Sequence, residues 1–466
     1  MPPVPASPFS RRLFLTGAAA LSAAAALAAC GSDSSSGPVA DTTPDKGLPT
    51  QGTTFTYDPN TLVNNGEPIT LDWWPWAGDQ QFQAFATRYQ EIHPNVRINV
   101  VNQPWDDYWT KLPLALQGSD GPALFNIHNS HHENILPYAE AYDVDLDAMR
   151  ADFVGIDGHL VDGKVYYVDY GLMTGLIYYN KTMWGAAGLT DADIPATWED
   201  FRAAAKKLTI GEGTSMTQAG FNFNTSAYVL LLGKHYQSGT NLFDPAGTKA
   251  LIDTDTQSAD LDYLLSLYND DKVGTPDFGP NSDEAFGQGL SAMTYNWGHY
   301  YGTLRDKYPD IEFGTFQTPV NTAGQVPYAY DRYNGESTPG INKNASDGAR
   351  EVAQDFLTFF LTSDALLKDL CLHYSLFPSS LSLADNAEIT SHPVMSALGS
   401  IDRYIWPGPM PSAVEENMKI ALEDIFYNGM DIETALKNAE DTCNTELATS
   451  GFVSVESQYQ HADEAK

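Results

Sequence analysis

Large planar aromatics recur in this chain beside carboxylates and carboxamides. Trp73-Trp74-Pro75-Trp76 ends an alternating run, Ile69, Leu71, Trp73, with Asp79 just beyond it. Asn296-Trp297-Gly298-His299-Tyr300-Tyr301 follows the apolar pair Ala292-Met293, and Tyr404-Ile405-Trp406-Pro407 forms a third cluster. Flat rings offer a face for stacking, and planar polar groups offer paired hydrogen bonds. The combination suits a ligand with an apolar ring face and a rim of hydroxyls. At least one of Trp74 and Trp76, and at least one of Trp297, His299 and Tyr300, is expected to face such a ligand. Polar partners are expected from Asp79, Asn129, His131, and Glu336 in the loop Tyr333-Asn334-Gly335-Glu336-Ser337, with Asn222 and Glu416 as further candidates elsewhere in the chain. Against this, most aromatics are core and most loop carboxylates are simply solvated. Trp73 alternates inward with Ile69 and Leu71, and Trp198 sits in a helix-start motif, so both are expected to pack.

Two other chemistries deserve comparison. His128, His131, His132 and Glu133 are close enough in sequence to suggest zinc, yet adjacent His131 and His132 point apart on any regular element and no second ligand pair follows. A polar loop with one ligand-contacting histidine is the simpler reading. Hydrolysis of a glycosidic bond asks for two carboxylates at ~5 to 9 Å. With 60 Asp and Glu in the chain such pairs carry no information, and no nucleophile-elbow or comparable motif is present. No cofactor is expected.

The elements that must hold these residues read as alternating strand and helix. After the strand at Ile69 to Trp73, the positions Phe82, Phe85, Ala86, Tyr89 and Ile92 fall at helical spacing, and Val96, Ile98 and Val100 alternate again. Strand, helix, strand implies a parallel pair with a right-handed crossover. A helix over 107–117 must accommodate Pro113. Thr197-Trp198-Glu199-Asp200-Phe201 is a helix start, with Thr197 as N-cap and Phe201, Ala204, Ala205 and Leu208 as its buried stripe. Further helices are expected over 259–269, 349–361, 414–427 and 431–447. The body is α/β of the doubly wound type, and its length calls for two lobes.

The N-terminus reads as an export signal. Arg11-Arg12 precede an alanine-rich apolar run that closes at Leu27-Ala28-Ala29-Cys30. The paired arginines resemble a twin-arginine signal and the closing residues a lipobox, which would make Cys30 the lipidated first residue of the exported chain. Residues 31–66, rich in Ser, Gly, Pro, Asp and Thr, would be a tether spanning about 30 Å as a flexible coil. The formal charge of −35 repels phosphate backbones and anionic lipids, so nucleic-acid binding is excluded. Contact with a membrane is expected through the Cys30 lipid alone. Cys371 and Cys443 are then the remaining cysteines, either bridged or buried as free thiols.

Several blocks together resemble family 1 of the bacterial extracellular solute-binding proteins. They are His93-Pro94-Asn95-Val96, Asp162-Gly163-Lys164-Val165-Tyr166, Ile177-Tyr178-Tyr179-Asn180-Lys181, Pro195-Ala196-Thr197-Trp198-Glu199-Asp200-Phe201, the run from Ala285-Phe286-Gly287 to Ala292-Met293, Gly340-Ile341-Asn342-Lys343, and Phe356 to Ser363. Each is weak alone; their order and spacing carry the resemblance. Two departures are Ala123 after Pro122 and the sequence Tyr167-Val168-Asp169. The resemblance implies a two-lobed periplasmic-binding-protein fold, with doubly wound sheets in each lobe joined by a hinge. Lobe 1 would hold 67–172 and 328–378, and lobe 2 would hold 173–327 and 379–455, following a signal at 1–30. It implies a carbohydrate, of two or more units given the aromatics available, captured between the lobes by a monomer for ABC permease subunits outside the cell membrane. A secreted carbohydrate-active enzyme, or a binder of a metal or other solute, is the alternative.

Overall fold

The computed structural model describes residues 54–76, 79–398 and 401–466. The expected signal with Cys30, and 31–53 of the expected tether, lie outside them. Residues 54–66 pack on the body: Phe55 and Val63 are buried, and the Phe55 N–H donates to Asp152 Oδ2 at 2.7 Å. Apolar side chains that gain a core contact do not stay in a tether.

The first sheet contains β1 (Ile69–Trp74), β2 (Val96–Val100), β3 (Leu124–Asn126), β4 (Ala139–Glu140) and β9 (Pro339–Asn342), in the order β2-β1-β3-β9-β4. β1 pairs in parallel with β2 and β3, whereas β9 runs antiparallel to β3 and β4. Helix α1 (Asp79–Ile92) crosses between β1 and β2, burying Phe82, Phe85, Ala86, Tyr89 and Ile92 as their spacing predicts. Trp73 is fully buried; its Nε1–H donates to Asn126 Oδ1 at 2.8 Å, and its ring lies 4.6 Å from Phe82 and 5.4 Å from Phe356.

The second sheet is built on β5 (Asp169–Asn180), a 12-residue strand buried along nearly its whole length. β5 pairs antiparallel with β6 (Met293–Trp297), β7 (Phe313–Phe316), β8 (Asp331–Ser337) and β10 (Phe377–Pro378), and β11 (Tyr404–Ile405) extends β8 in parallel. This pairing departs from the parallel pattern of β1 and β2 because the chain returns along its own crossing. β5 pairs with β8 through its first half and with β6 and β7 through its second. Gly175 marks the changeover: a Cβ there would stand 1.8 Å from the Tyr295 hydroxyl.

Two large cores flank this strand. Tyr170 and Met173 belong to the first core with Trp73 and Phe356; Ile177 and Tyr179 belong to the second with Phe201, Phe221 and Leu264. The fold is therefore two-lobed α/β, with β5 and β8 crossing between lobes. Leu383, Ile389 and Met395 pack in the first core. Cys371 and Cys443 are free, buried, and in different cores.

The helix Trp198–Leu208 shows how local chemistry sets an element. Thr197 and Asp200 form a reciprocal capping box, and Phe201, Ala204, Ala205 and Leu208 face the second core. Trp198 is buried beside them and donates to Gln237 Oε1 at 2.8 Å. Replacing Thr197 by Ala orphans a helix-start N–H and lowers unfolding free energy by about 1 kcal/mol, whereas Thr197→Ser is nearly neutral. Urea denaturation of the two variants checks this.

Candidate functional site

A cavity of about 490 Å³ lies at the junction of the two cores. Its floor follows from strand alternation. Side chains of β8 point to opposite faces in turn, so Arg332, Asn334 and Glu336 line the cavity while Tyr333 lies on the other side, 5.4 Å from the Tyr404 ring. The first lobe contributes Trp76 after β1, and Asn126 and His128 at the end of β3, at the carboxyl ends of parallel strands. It also contributes Trp105, the first residue of α2 (Trp105–Ala115). The second lobe contributes Thr225, Tyr228, Asp283, Trp297, His299 and, from the helix Ser412–Asn428, Glu415.

The aromatic walls are held edge to face. Trp76 lies 5.3 Å from Trp105 and 5.4 Å from Tyr108, both T-shaped, and Trp105 lies 5.1 Å from His128. Trp297, half-buried, packs against both cores, with the Arg332 guanidinium 4.9 Å above its ring.

Burial sets the electrostatics. It raises the Glu336 carboxyl to about 8, with the Asp169 carboxylate adding to the rise, and it also raises Asp283. It lowers His299 to about 4, with His128 adding, and lowers His128 as well. Glu415 goes the other way. Burial raises it, but Lys419 at 2.6 Å, together with His128 and His131, outweighs burial and leaves it below the usual carboxylate range. The protonated Glu336 carboxyl, neutral imidazoles and carboxamides donate and accept hydrogen bonds with hydroxyls, and they equip the cavity for binding.

The residues singled out from sequence distribute as follows. Trp76, Trp297, His299 and Glu336 line the cavity. Trp74 packs in a small cluster with Phe125 and Tyr167. Helix α1 starts at Asp79, whose side chain lies outside the described residues. Asn129 is buried and donates to Asp169 and to the Gly335 carbonyl at 3.3 Å, tying its loop to the crossing strands. His131 stacks on Trp109 at 4.1 Å and, with Glu416, borders a smaller cleft beside the cavity. Asn222 is fully buried between the Tyr268 hydroxyl and the Phe278 carbonyl. Tyr300 is buried and donates to the Asp283 carbonyl at 2.5 Å. Trp406 stacks on His159 at 5.3 Å in a second cavity of about 630 Å³.

Arg332, Asn334, Trp105, Tyr228 and Glu415 were not singled out. Counting back by two from Glu336 along a strand reaches Asn334 and Arg332, and counting back one residue from Glu416 reaches Glu415. The three histidines face different partners: His128 meets Ser130, His131 meets Trp109, and His132 meets the Asn129 carbonyl. Among the described residues no group of three or more His, Cys, Asp or Glu is placed to hold a metal ion.

Because its carboxyl is raised from 4.5 to about 8, ligand-free Glu336 favours the folded state fully below pH 4.5 and loses that contribution as pH rises through 8. Glu336→Gln removes the titration. Its stability therefore matches wild type near pH 4.5 and exceeds it increasingly up to pH 9, as thermal unfolding across that range will show.

Comparison with known proteins agrees with this architecture. The structure resembles a maltose/maltodextrin-binding domain from Bdellovibrio bacteriovorus bound to maltotriose, with TM-score 0.69 and 16% identity over 82% of this chain and 100% of that one. It also resembles a Listeria monocytogenes ABC substrate-binding protein in complex with cycloalternan, with TM-score 0.67 and 20% identity over 82% and 100%. Among sequences, an arabinooligosaccharide-binding protein of Bacillus subtilis is 24% identical over 80% of this chain and 82% of its own length. A diacetylchitobiose-binding protein of Streptomyces coelicolor is 25% identical over 69% and 75%. These relatives are binding proteins rather than enzymes. Residues 84–397 match the family described as bacterial extracellular solute-binding protein, and the chain belongs to that family.

Proposed function

We propose that the chain is the solute-capturing component of an ABC-type importer and that its solute is a saccharide of two or more units, held in the cavity between the two cores. The lining carries this reading. The rings of Trp76, Trp105 and Trp297 face the cavity together with the planar polar groups of Asn126, Asn334 and Glu336, the combination that a sugar's C–H face and hydroxyl rim require. The volume of about 490 Å³ falls within the range of small-molecule sites, roughly 300–1,000 Å³. The relatives' names, which specify arabinooligosaccharide and diacetylchitobiose, support the same ligand class.

The family's extracellular setting supports reading the N-terminus as an export signal. We extend the reading to a lipid anchor at Cys30 and delivery by a monomer to permease subunits. No helix among the described residues is long and apolar enough to cross a membrane. Expressed in its own cell, the chain is expected in the membrane fraction with an acylated N-terminal peptide by mass spectrometry. Cys30→Ser should release it, and an unmodified, membrane-free wild type would overturn the anchor.

The substrate claim is tested by thermal shift of the full chain against a neutral oligosaccharide library. A ligand at 100 times its dissociation constant adds about 2.7 kcal/mol of stability. The expected result is a selective rise with one oligosaccharide class, recovered intact, and at least a ~10-fold loss of affinity in Trp297→Ala. Tighter binding of a monosaccharide would overturn the length assignment. No response to any sugar would overturn the saccharide reading, and consumption of the sugar would favour a carbohydrate-active enzyme.

A further inference from the structure

Arg332 is out of place in a cavity built only for neutral hydroxyls. Its residue is 3% exposed, its side chain lines the cavity, and its guanidinium lies 4.9 Å over the Trp297 ring. Charged groups are almost never buried unless paired, because desolvating an ion costs several kcal/mol. Among the described residues no carboxylate forms an ion pair with it, and its Nε is buried without a hydrogen-bond partner. Asp331, which feels the Arg332 charge, and Glu415 are each held by other groups. Asp331 accepts from the Tyr295 hydroxyl at 2.9 Å and from the Arg332 backbone N–H at 2.7 Å. Glu415 is held by Lys419 at 2.6 Å, with the Tyr228 hydroxyl placed between Glu415 and Arg332. Glu336, four residues along the same strand, is about 13 Å away at the usual rise.

Taking the saccharide reading above as given, we infer that the solute carries an anionic substituent, a carboxylate or a phosphate, seated against the Arg332 guanidinium beside Trp297. The planar fork of arginine matches both groups with two parallel charge-assisted hydrogen bonds, and the Trp297 ring centre lies 4.9 Å from its guanidinium carbon. The rest of the solute would then extend along β8 past Asn334 to Glu336, with hydroxyls on the polar groups and ring faces on Trp76 and Trp105. The −35 surface repels anions at long range, so selection for one would depend on the buried contact, where screening is weak.

The test is calorimetric titration of the full chain with matched probes. Di- and trigalacturonate form the carboxylate arm, trehalose 6-phosphate the phosphate arm, and galactobiose, galactotriose and trehalose the neutral counterparts, added to the neutral library already described. The expected result is that one acidic arm binds at least ~10-fold more tightly than its neutral counterpart, and the arm that does so identifies the group. Arg332→Gln should abolish that preference, and Arg332→Lys should keep part of it. The wild-type comparison stands even if neither variant folds. Neutral saccharides binding as well as or better than acidic ones would overturn the inference and leave the saccharide reading intact. Binding of no saccharide, acidic or neutral, would overturn both.

Discussion

The crossing of β5 and β8 is the constraint on which the rest depends, and Asp169 pins it. This buried carboxylate accepts from Ser337 Oγ at 2.9 Å, lies 3.3 Å from His159 Nε2, and meets the Asn129 amide. Gly335, two residues before Ser337, the strand partner of Asp169, must lack a side chain, because a Cβ there would stand 1.7 Å from Asp169 Oδ2. A buried anion needs several partners at once, and these partners come from β8, from the 129–131 turn and from the turn at His159. One charge thereby joins the crossing strands to two loops of the first lobe, and its field helps keep Glu336 protonated on the cavity side.

Once the pair is fixed, strand periodicity divides the molecule. Alternate residues of β8 become the cavity floor, and the intervening Tyr333 goes to the cluster with Tyr404. Each lobe then supplies a wall, and Trp297, which packs against both cores, links lobe arrangement to cavity shape. A solute touching both walls stabilises their approach through its contacts alone, so capture needs no chemical step.

Much of the fold was legible because the signals are local. The stripe of α1, the Thr197–Asp200 cap and the inward alternation of Trp73 depend on neighbours within a few residues. The cavity was legible where a loop cluster ends a strand, as at Trp76 and Trp297, and at Glu336, which lies within β8 rather than in the expected loop. Trp406 and Tyr300 have the same composition as cavity aromatics, yet His159 and the Asp283 carbonyl engage them elsewhere. Asn222 was hidden for the opposite reason: an amide in a loop segment looks free until Tyr268 and Phe278 surround it. Arg332, Tyr228 and Glu415 come from a strand and two helices far apart in sequence, and only tertiary packing brings them together. The segment 54–66 looked like tether because its composition is polar on average, while Phe55, Tyr57 and Val63 pack it on the first core.

A crystal structure of the chain with the oligosaccharide that most raises its melting temperature tests the central claim most directly. The account predicts sugar rings in the cavity at the junction of the lobes, one face on Trp297 or Trp105 and hydroxyls bonded to Asn334 and Glu336. A sugar found instead in the cavity beside His159 and Trp406, with the β8 face of Arg332 and Asn334 untouched, would contradict it.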